Sequence, residues 1–326
     1  MESSVAPSSS SRPWRPAWWA GWLHLPLALF AMLPYLDLAL ERRPGWPEYA
    51  IGMTLLGLFL LGVFSPRLQA FGPVLCGPRP GVRPRVALTF DDGPDPETTP
   101  RVLDALGEHR ATFFVIGEKA KRYPELIAAM RAAGHQICSH GIQHSWSLVV
   151  SPWRARKLTL GGLRALSWLG VRGRRFFRAP YGLMTPPLMS VLRETGITPV
   201  GWSLRSWDSI HPGPADDFAI RLAQRARNGD IILLHDAPEH PGGRRPLGIE
   251  ATATLVRALT SRGFDLVTVE TLYRGDGPED PLKTGTTTIG ERTARRSRSA
   301  RRNGTARIQT AAGERALDRD RFARTP

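Results

Sequence analysis

The chain has 326 residues, with 44 Lys and Arg against 29 Asp and Glu, a formal charge of +15 at pH 7. Such an excess bears on partners and solubility and leaves the fold open: an anionic membrane surface, an acidic wall polymer and nucleic acid all suit it. The two cysteines, Cys76 and Cys138, lie far apart with no Cys-x-x-Cys or Cys/His finger spacing, which excludes a disulfide framework and a zinc finger.

Residues 1–16 are rich in Ser and Pro with two arginines, a composition that builds no core and predicts disorder. From 17 to 40 the chain turns apolar, and Trp14, Trp18, Trp19 and Trp22 favour a membrane interface. His24, Pro26, Pro34 and Asp37 interrupt that run. After Glu41-Arg42-Arg43-Pro44-Gly45 a second run, 49–64, carries no charge. At about 1.5 Å per residue it is a little short for a bilayer core of about 30 Å. The two runs predict an N-terminal transmembrane hairpin over 17–64. A cleaved leader fits less well, because the first run passes directly into Glu-Arg-Arg. Arg42 and Arg43 favour a cytoplasmic turn with both tails outside, while Arg12, Arg15, Arg67 and Arg79 pull the other way. The expected location is the cell membrane, with the main domain on the extracytoplasmic side.

Residues 65–84, rich in Pro, Gly and Arg, read as a linker. From 85 to 272 apolar strand-like runs alternate with amphipathic helical ones. The strands are expected at 85–90, 111–117, 136–139, 175–179, 198–204, 230–235 and 264–269, and the helices at 99–109, 120–133, 152–169, 187–195, 216–227 and 249–262. Gly134, Gly170, Gly196, Gly229 and Gly263 stand where helices end. This alternation predicts an α/β fold with about seven parallel strands, a closed or nearly closed barrel. An open doubly wound sheet is the alternative, although no Gly-x-Gly-x-x-Gly follows the first strand.

The run Val86-Ala87-Leu88-Thr89-Phe90 ends in Asp91-Asp92-Gly93-Pro94, a buried strand carrying two carboxylates to its tip. Polar residues follow other strands in the same way: His140 and His144, Arg178 and Tyr181, Asp208, and His235. In a barrel these ends converge on one face. His140 and His144 stand four apart, a spacing that on a helical turn sets both imidazoles on one side of a metal ion. Gly141 occupies the place where a zinc protease of this spacing needs Glu. With Asp92 as third ligand, two His and one Asp leave a position for water on Zn²⁺ or a similar ion, which is the beginning of a hydrolase.

Thr89-Phe90-Asp91-Asp92-Gly93-Pro94, His140-x-x-x-His144, Arg178-Ala179-Pro180-Tyr181 and Leu233-Leu234-His235 resemble, in order, the motifs of the polysaccharide deacetylase family, also called NodB-homology or carbohydrate esterase family 4. The resemblance covers roughly residues 84–272 and implies a distorted (β/α) barrel domain over 85–275. It implies Asp91 as general base, with Asp92, His140 and His144 as ligands of a divalent metal, Zn²⁺ first and Co²⁺ or another divalent ion as alternatives. The backbone N–H of Tyr181 would hold the oxyanion, with Pro180 beside it in the same motif, while Trp202, Trp207, Leu233 and Tyr181 offer apolar surface for the acetyl methyl. His235 would be the acid, Arg178 the partner of Asp91, and Asp208 the residue that orients His235. A plain surface salt bridge for Arg178 and a loop cap for Asp208 are the simpler readings of those two residues.

Three positions depart from the family pattern. Arg205 stands where an acid is common, Trp207 precedes Asp208 instead of following it, and Gly141 replaces a hydroxyl residue. None removes a metal ligand, base or acid, so an active enzyme is expected, one that hydrolyses N-acetyl groups on peptidoglycan, a chitin-like chain or an exported polysaccharide. The alternatives are a deacylase or deformylase of a lipid-linked amino sugar, and an inactive carbohydrate-binding membrane protein. The tail over 276–326 is polar with runs such as Arg295-Arg296-Ser297-Arg298, and predicts a disordered basic segment for anionic polymer or lipid headgroups, with no specific nucleic acid.

Overall fold

A computed structural model describes residues 46–274 except 79, 80, 82, 147–150, 174 and 241. The 1–16 segment, the first apolar run and the basic tail lie outside the described residues. Strand β1 (Arg85–Asp91) is buried at every position. Parallel strands flank it on both sides: Thr89, Phe90 and Asp91 pair with Thr112, Phe113 and Phe114 of β2 (Thr112–Val115), and Ala87 to Asp91 pair with β7 (Ile231–His235). A strand covered on both faces needs apolar residues in succession, which its sequence supplies.

The other strands are β3 (Gln136–Ser139), β4 (Phe176–Phe177), β5 (Thr198–Pro199), β6 (Leu204–Arg205) and β8 (Asp265–Leu266). Their order is β5-β4-β3-β2-β1-β7-β6, with β8 against the start of β1, and all pairs are parallel. The single strand expected over 198–204 is therefore two short ones, one on each margin of the sheet. In a flat sheet six steps of about 4.8 Å would part them by about 29 Å. The chain from Pro199 to Leu204 reaches at most about 18 Å. The sheet must curl into part of a barrel, and all its strand tips then face one side.

Helices α2 (Thr99–Leu106), α3 (Gly117–Arg122), α4 (Pro124–Ala132), α5 (Pro152–Trp168), α6 (Pro186–Thr195), α7 (Ala215–Arg225), α8 (Leu247–Ser261) and α9 (Val269–Arg274) surround the sheet. The one helix expected over 120–133 is broken into α3 and α4, because Pro124 has no N–H for the helical ladder and starts a new helix as its first residue. Phe90 and Phe113 stack at 5.1 Å inside the core that β1 and β2 share with the helices.

Before the barrel lies α1 (Trp46–Phe64). Its last turn is docked: Val63 is buried, and its carbonyl accepts from the Met184 N–H at 3.0 Å. Ile51, Met53, Leu58 and Leu61 are exposed. Among the described residues no helix is long and apolar enough to cross a membrane. The 65–84 stretch also packs onto the domain. Phe71, Val74 and Cys76 are buried, and Leu75 bridges Val200 beside β5.

Candidate active site

Asp91 and Asp92 are the first and second carboxylates beyond the apolar run of β1. Successive side chains of a strand point to opposite sides, and the left-handed φ of 75° at Asp92 turns the chain away from the strand. Asp91 meets Arg178, whose Nη1 donates to Asp91 Oδ1 at 2.8 Å and to Thr89 Oγ1 at 2.7 Å. Arg178 Nη2 donates to the Gly201 carbonyl at 2.7 Å, and the guanidinium lies 4.1 Å from the centre of the Phe114 ring. Arg178 is completely buried, so this is an enclosed ion pair and not the surface salt bridge of the simpler reading. Burial lowers the pKa of the guanidinium, and the charge of Asp91 works against that fall.

Asp92 Oδ1 stands 3.5 Å from both His140 Nε2 and His144 Nε2. The ligand atoms of the three residues lie within 4.8 Å of one another. The His140 ring is held from behind. His140 Nδ1 is 2.9 Å from the Arg178 carbonyl, which can only accept, so Nδ1 carries the hydrogen and Nε2 offers its lone pair to Asp92. His144 Nδ1 lies 3.2 Å from Glu239 Oε1, close enough for an ion-pair contact but without hydrogen-bond geometry. Asp92 Oδ1 is buried and has no hydrogen-bond partner. An orphaned carboxylate oxygen beside two lone pairs is repulsive by itself and fits a divalent cation. Burial disfavours ionisation of Asp92, but the surrounding His140, His235 and His144 outweigh it and hold the carboxyl well below its usual range. Burial and the nearby His140 push His144 down to about 4, leaving it neutral, the state a ligand needs.

The two histidines converge from a loop after β3, not from the helical turn that their spacing suggested. Gly141 between them has φ +92°, a conformation that a residue with a Cβ rarely adopts. Its departure from the family pattern is thus a requirement of this loop. Ser139 Oγ accepts from the Gly141 N–H at 3.2 Å.

His235 ends β7, and its Nδ1 lies 2.7 Å from Asp208 Oδ1. Asp208 Oδ2 accepts from the His235 backbone N–H at 2.9 Å, so one buried carboxylate fixes both ring and main chain. A Cβ on Gly248 would collide with that same Oδ2, which explains the glycine at this point of α8. Asp208 thus contacts His235 through both carboxylate oxygens. Burial disfavours the imidazolium, but Asp208 more than compensates, and the His235 pKa is pushed up to about 10.

Tyr181 has φ 58° and ψ 4°, and its ring meets His144 edge-on at 4.2 Å. Pro180 and Leu233 are buried, and Leu233 stands opposite Thr89 and Arg205 in the sheet. Trp202 covers Gly182, where a Cβ would strike the indole. Arg205 lies over the Trp207 ring at 4.0 Å and 5.5 Å from the Trp202 centroid, so two of the departures form one cation–π contact.

Four contributors escaped the sequence reading. Lys119 Nζ donates to the Asp92 carbonyl at 2.8 Å and to the Pro238 carbonyl at 3.1 Å. Glu239 lies beside His144, and Trp146 stacks on Tyr181 at 4.1 Å. Asp236 is the fourth: its Oδ1 accepts from the Gly93 N–H at 3.1 Å, its Oδ2 from Thr99 Oγ1 at 2.5 Å, and its carbonyl from Thr98 Oγ1 at 2.6 Å. Burial pushes its carboxyl up to about 7. An acid directly behind a five-residue buried strand was the available signal. A Cβ at Gly93 would collide with this carboxylate. Gly93→Ala is therefore expected to cost about 1–3 kcal/mol of stability in urea unfolding and to weaken metal binding together with it.

Residues 79–200 match the family model described as polysaccharide deacetylase. The chitooligosaccharide deacetylase of Sinorhizobium fredii is 38% identical over 197 residues, 57% of this chain and 91% of that one. The chain belongs to the polysaccharide deacetylase family. A second member of this hydrolase family, the peptidoglycan-N-acetylglucosamine deacetylase of Bacillus cereus, is 34% identical over 196 residues, 58% of this chain and 88% of that protein. The crystal structure of a family 4 acetyl xylan esterase from Clostridium thermocellum, in complex with a cobalt ion, aligns with a TM-score of 0.51 and 33% identity over 58% of this chain and 89% of that chain. The polysaccharide deacetylase fold of the present chain has the Asp92, His140 and His144 cluster at its strand tips, where a divalent ion could be held.

Proposed function

We propose that this chain removes N-acetyl groups from an amino-sugar polymer, of the peptidoglycan, chitin-like or exported type, with a divalent cation held by Asp92, His140 and His144, Zn²⁺ in the first place. The observation that carries the reading is the convergence of that cluster with two further groups, an Asp91 carboxylate paired with Arg178 and a proton-holding His235. Relatives named for chitooligosaccharide and for peptidoglycan support the substrate class.

A cation bound there would supply Lewis acidity, lowering the pKa of water and polarising the acetyl carbonyl. The protein groups do the rest. Asp91, aimed by Arg178, accepts a proton from the attacking water at its carboxylate. The backbone N–H of Tyr181 donates toward the oxygen on which negative charge develops. His235 gives its proton to the departing amine, and Asp208 restores the ring's orientation for the next cycle. Pro180, Trp202 and Leu233 supply apolar surface around the acetyl methyl.

The same proposal places the protein at the cell membrane with the catalytic domain on the extracytoplasmic side. The apolar 17–64 stretch and the exposed Ile51, Met53, Leu58 and Leu61 of α1 support attachment. They also favour a second reading, a lipid-linked amino sugar as substrate.

Acetate release from acetylated chito-oligosaccharides and from peptidoglycan tests the proposal. Chelation is expected to lower release about 100-fold or more, and added Zn²⁺ or Co²⁺ to restore it. Failure on both polymers by protein that still binds zinc would favour the lipid-linked substrate. Failure to bind any divalent ion would overturn the proposed mechanism.

A further inference from the structure

We infer that the barrel carries a second binding site, at the end remote from the active site, that takes a phosphoryl group. A cavity of about 270 Å³ is lined there by Arg110, Arg131, Arg172, His135, Gln136 and Glu270, among others. Arg110 precedes β2, His135 and Gln136 open β3, and Arg172 precedes β4. In an all-parallel sheet these strand beginnings share one side, opposite the tips that carry Asp91, His140 and His235.

His135 makes this a built pocket. Only 7% of it is exposed. The Ala111 backbone N–H donates to His135 Nδ1 at 3.2 Å, so Nδ1 presents its lone pair and the hydrogen of the neutral ring sits on Nε2. That Nε2 is buried and has no partner. A buried donor left unpaired costs roughly 1–3 kcal/mol. Burial and Arg110 push the His135 pKa down to about 4, so near neutral pH the imidazole is a neutral donor. Phe113 packs against the ring at 5.2 Å and holds it in place.

Three guanidinium groups line the cavity around this donor. None of Arg110, Arg131 and Arg172 pairs with a carboxylate among the described residues; Arg131 Nη1 donates to the Leu169 carbonyl at 3.2 Å. Glu270 also lines the cavity, but Arg274 Nη2 donates to its Oε1 at 2.6 Å and Gln136 Nε2 lies 3.4 Å from its Oε2. The Arg274–Glu270 pair is neutral in sum, which leaves three guanidinium charges. They come from separate segments, the turn before β2, helix α4 and the turn before β4. Donors that approach from several directions suit a tetrahedral phosphoryl oxyanion better than a planar carboxylate. Free phosphate and the phosphodiester of a lipid headgroup share this chemistry.

The test uses the full-length, zinc-loaded protein. Inorganic phosphate is titrated to about 10 mM while thermal unfolding and calorimetric heat are followed, since a ligand of the folded state raises Tm by mass action. In parallel, vesicles of phosphatidylcholine with and without phosphatidylglycerol are sedimented with the protein. The Arg110→Gln/Arg131→Gln double variant changes exposed side chains and should fold normally, with acetate release unchanged. It is expected to lose at least about tenfold in phosphate affinity or in phosphatidylglycerol-dependent sedimentation, whichever source the wild type prefers. His135→Phe should show the same loss, and the arginine variant stands alone if that protein does not fold. Phosphate held by the catalytic cation would be equal in both proteins, so the difference between them is the readout. Absence of binding to either probe, or equal binding by wild type and double variant, would overturn the site.

Discussion

Asp91→Asn is expected to lower kcat/KM for acetate release by about 10³-fold or more, within the usual range for loss of a positioned base. The amide keeps the shape of the carboxylate and an oxygen that can accept from Arg178 Nη1, now at 2.8 Å. It cannot take a proton. Asp92, His140 and His144 are untouched, so zinc stoichiometry should stay at the wild-type value. Stability should not. Arg178 is fully enclosed, and its charge would lose the only carboxylate that pairs with it among the described residues. Stranding a buried charge costs about 3–5 kcal/mol in comparable pairs. The Gly201 carbonyl and Thr89 Oγ1 remain as acceptors and should soften that cost. The variant should therefore melt earlier, bind zinc and scarcely turn over. Near-normal acetate release by the zinc-loaded Asp91→Asn variant would take the base role away from Asp91.

The parts of this site that could be read in the sequence are those built by one segment at a time. An apolar run that ends in two acids announces a strand tip because burial and charge change within one residue, and β1 ends at Asp91 as that pattern requires. His140 and His144 were identifiable by spacing, yet the spacing suggested a helix and Gly141 delivers them from a loop. What escaped was held by pairs distant in the chain. Asp236 acts on Gly93, and Lys119 on the Asp92 carbonyl, through contacts that no local pattern encodes. The break in 198–204 is of the same kind. Thr198 and Leu204 look alike as strand residues, and only the closing curvature of the sheet decides that one pairs with Phe176 and the other with Ile232. The Arg205 and Trp207 departures likewise make sense only as partners in a contact at 4.0 Å.

Asp208→Asn should move the alkaline limit of the reaction. His235 is useful as an acid only while protonated, and its pKa stands at about 10 against an ordinary 6.5. Burial alone would push it the other way, so the elevation comes first from the Asp208 charge 2.7 Å from Nδ1, with Asp92 and Asp91 adding to it. An amide at 208 can still accept from Nδ1–H but brings no charge. The His235 pKa should then fall toward 6.5, and the alkaline limb of the pH–rate profile should shift down by about 3 units. Near pH 8 the loss should be roughly 10–100-fold, and it should shrink as the pH falls toward 6, where both proteins hold the proton. A cation on Asp92 lowers the value in both proteins, so the displacement between the two profiles is the quantity to measure. Stability follows the same sign. A histidine whose pKa is raised by folding contributes fully below its unfolded value of 6.5, and that contribution is lost as the pH rises through about 10. The wild type should therefore lose part of its advantage in Tm over the variant between those limits. His235→Gln should depress activity at every pH without moving the limb. Parallel profiles for the wild type and the Asp208→Asn variant would mean that another group supplies the proton.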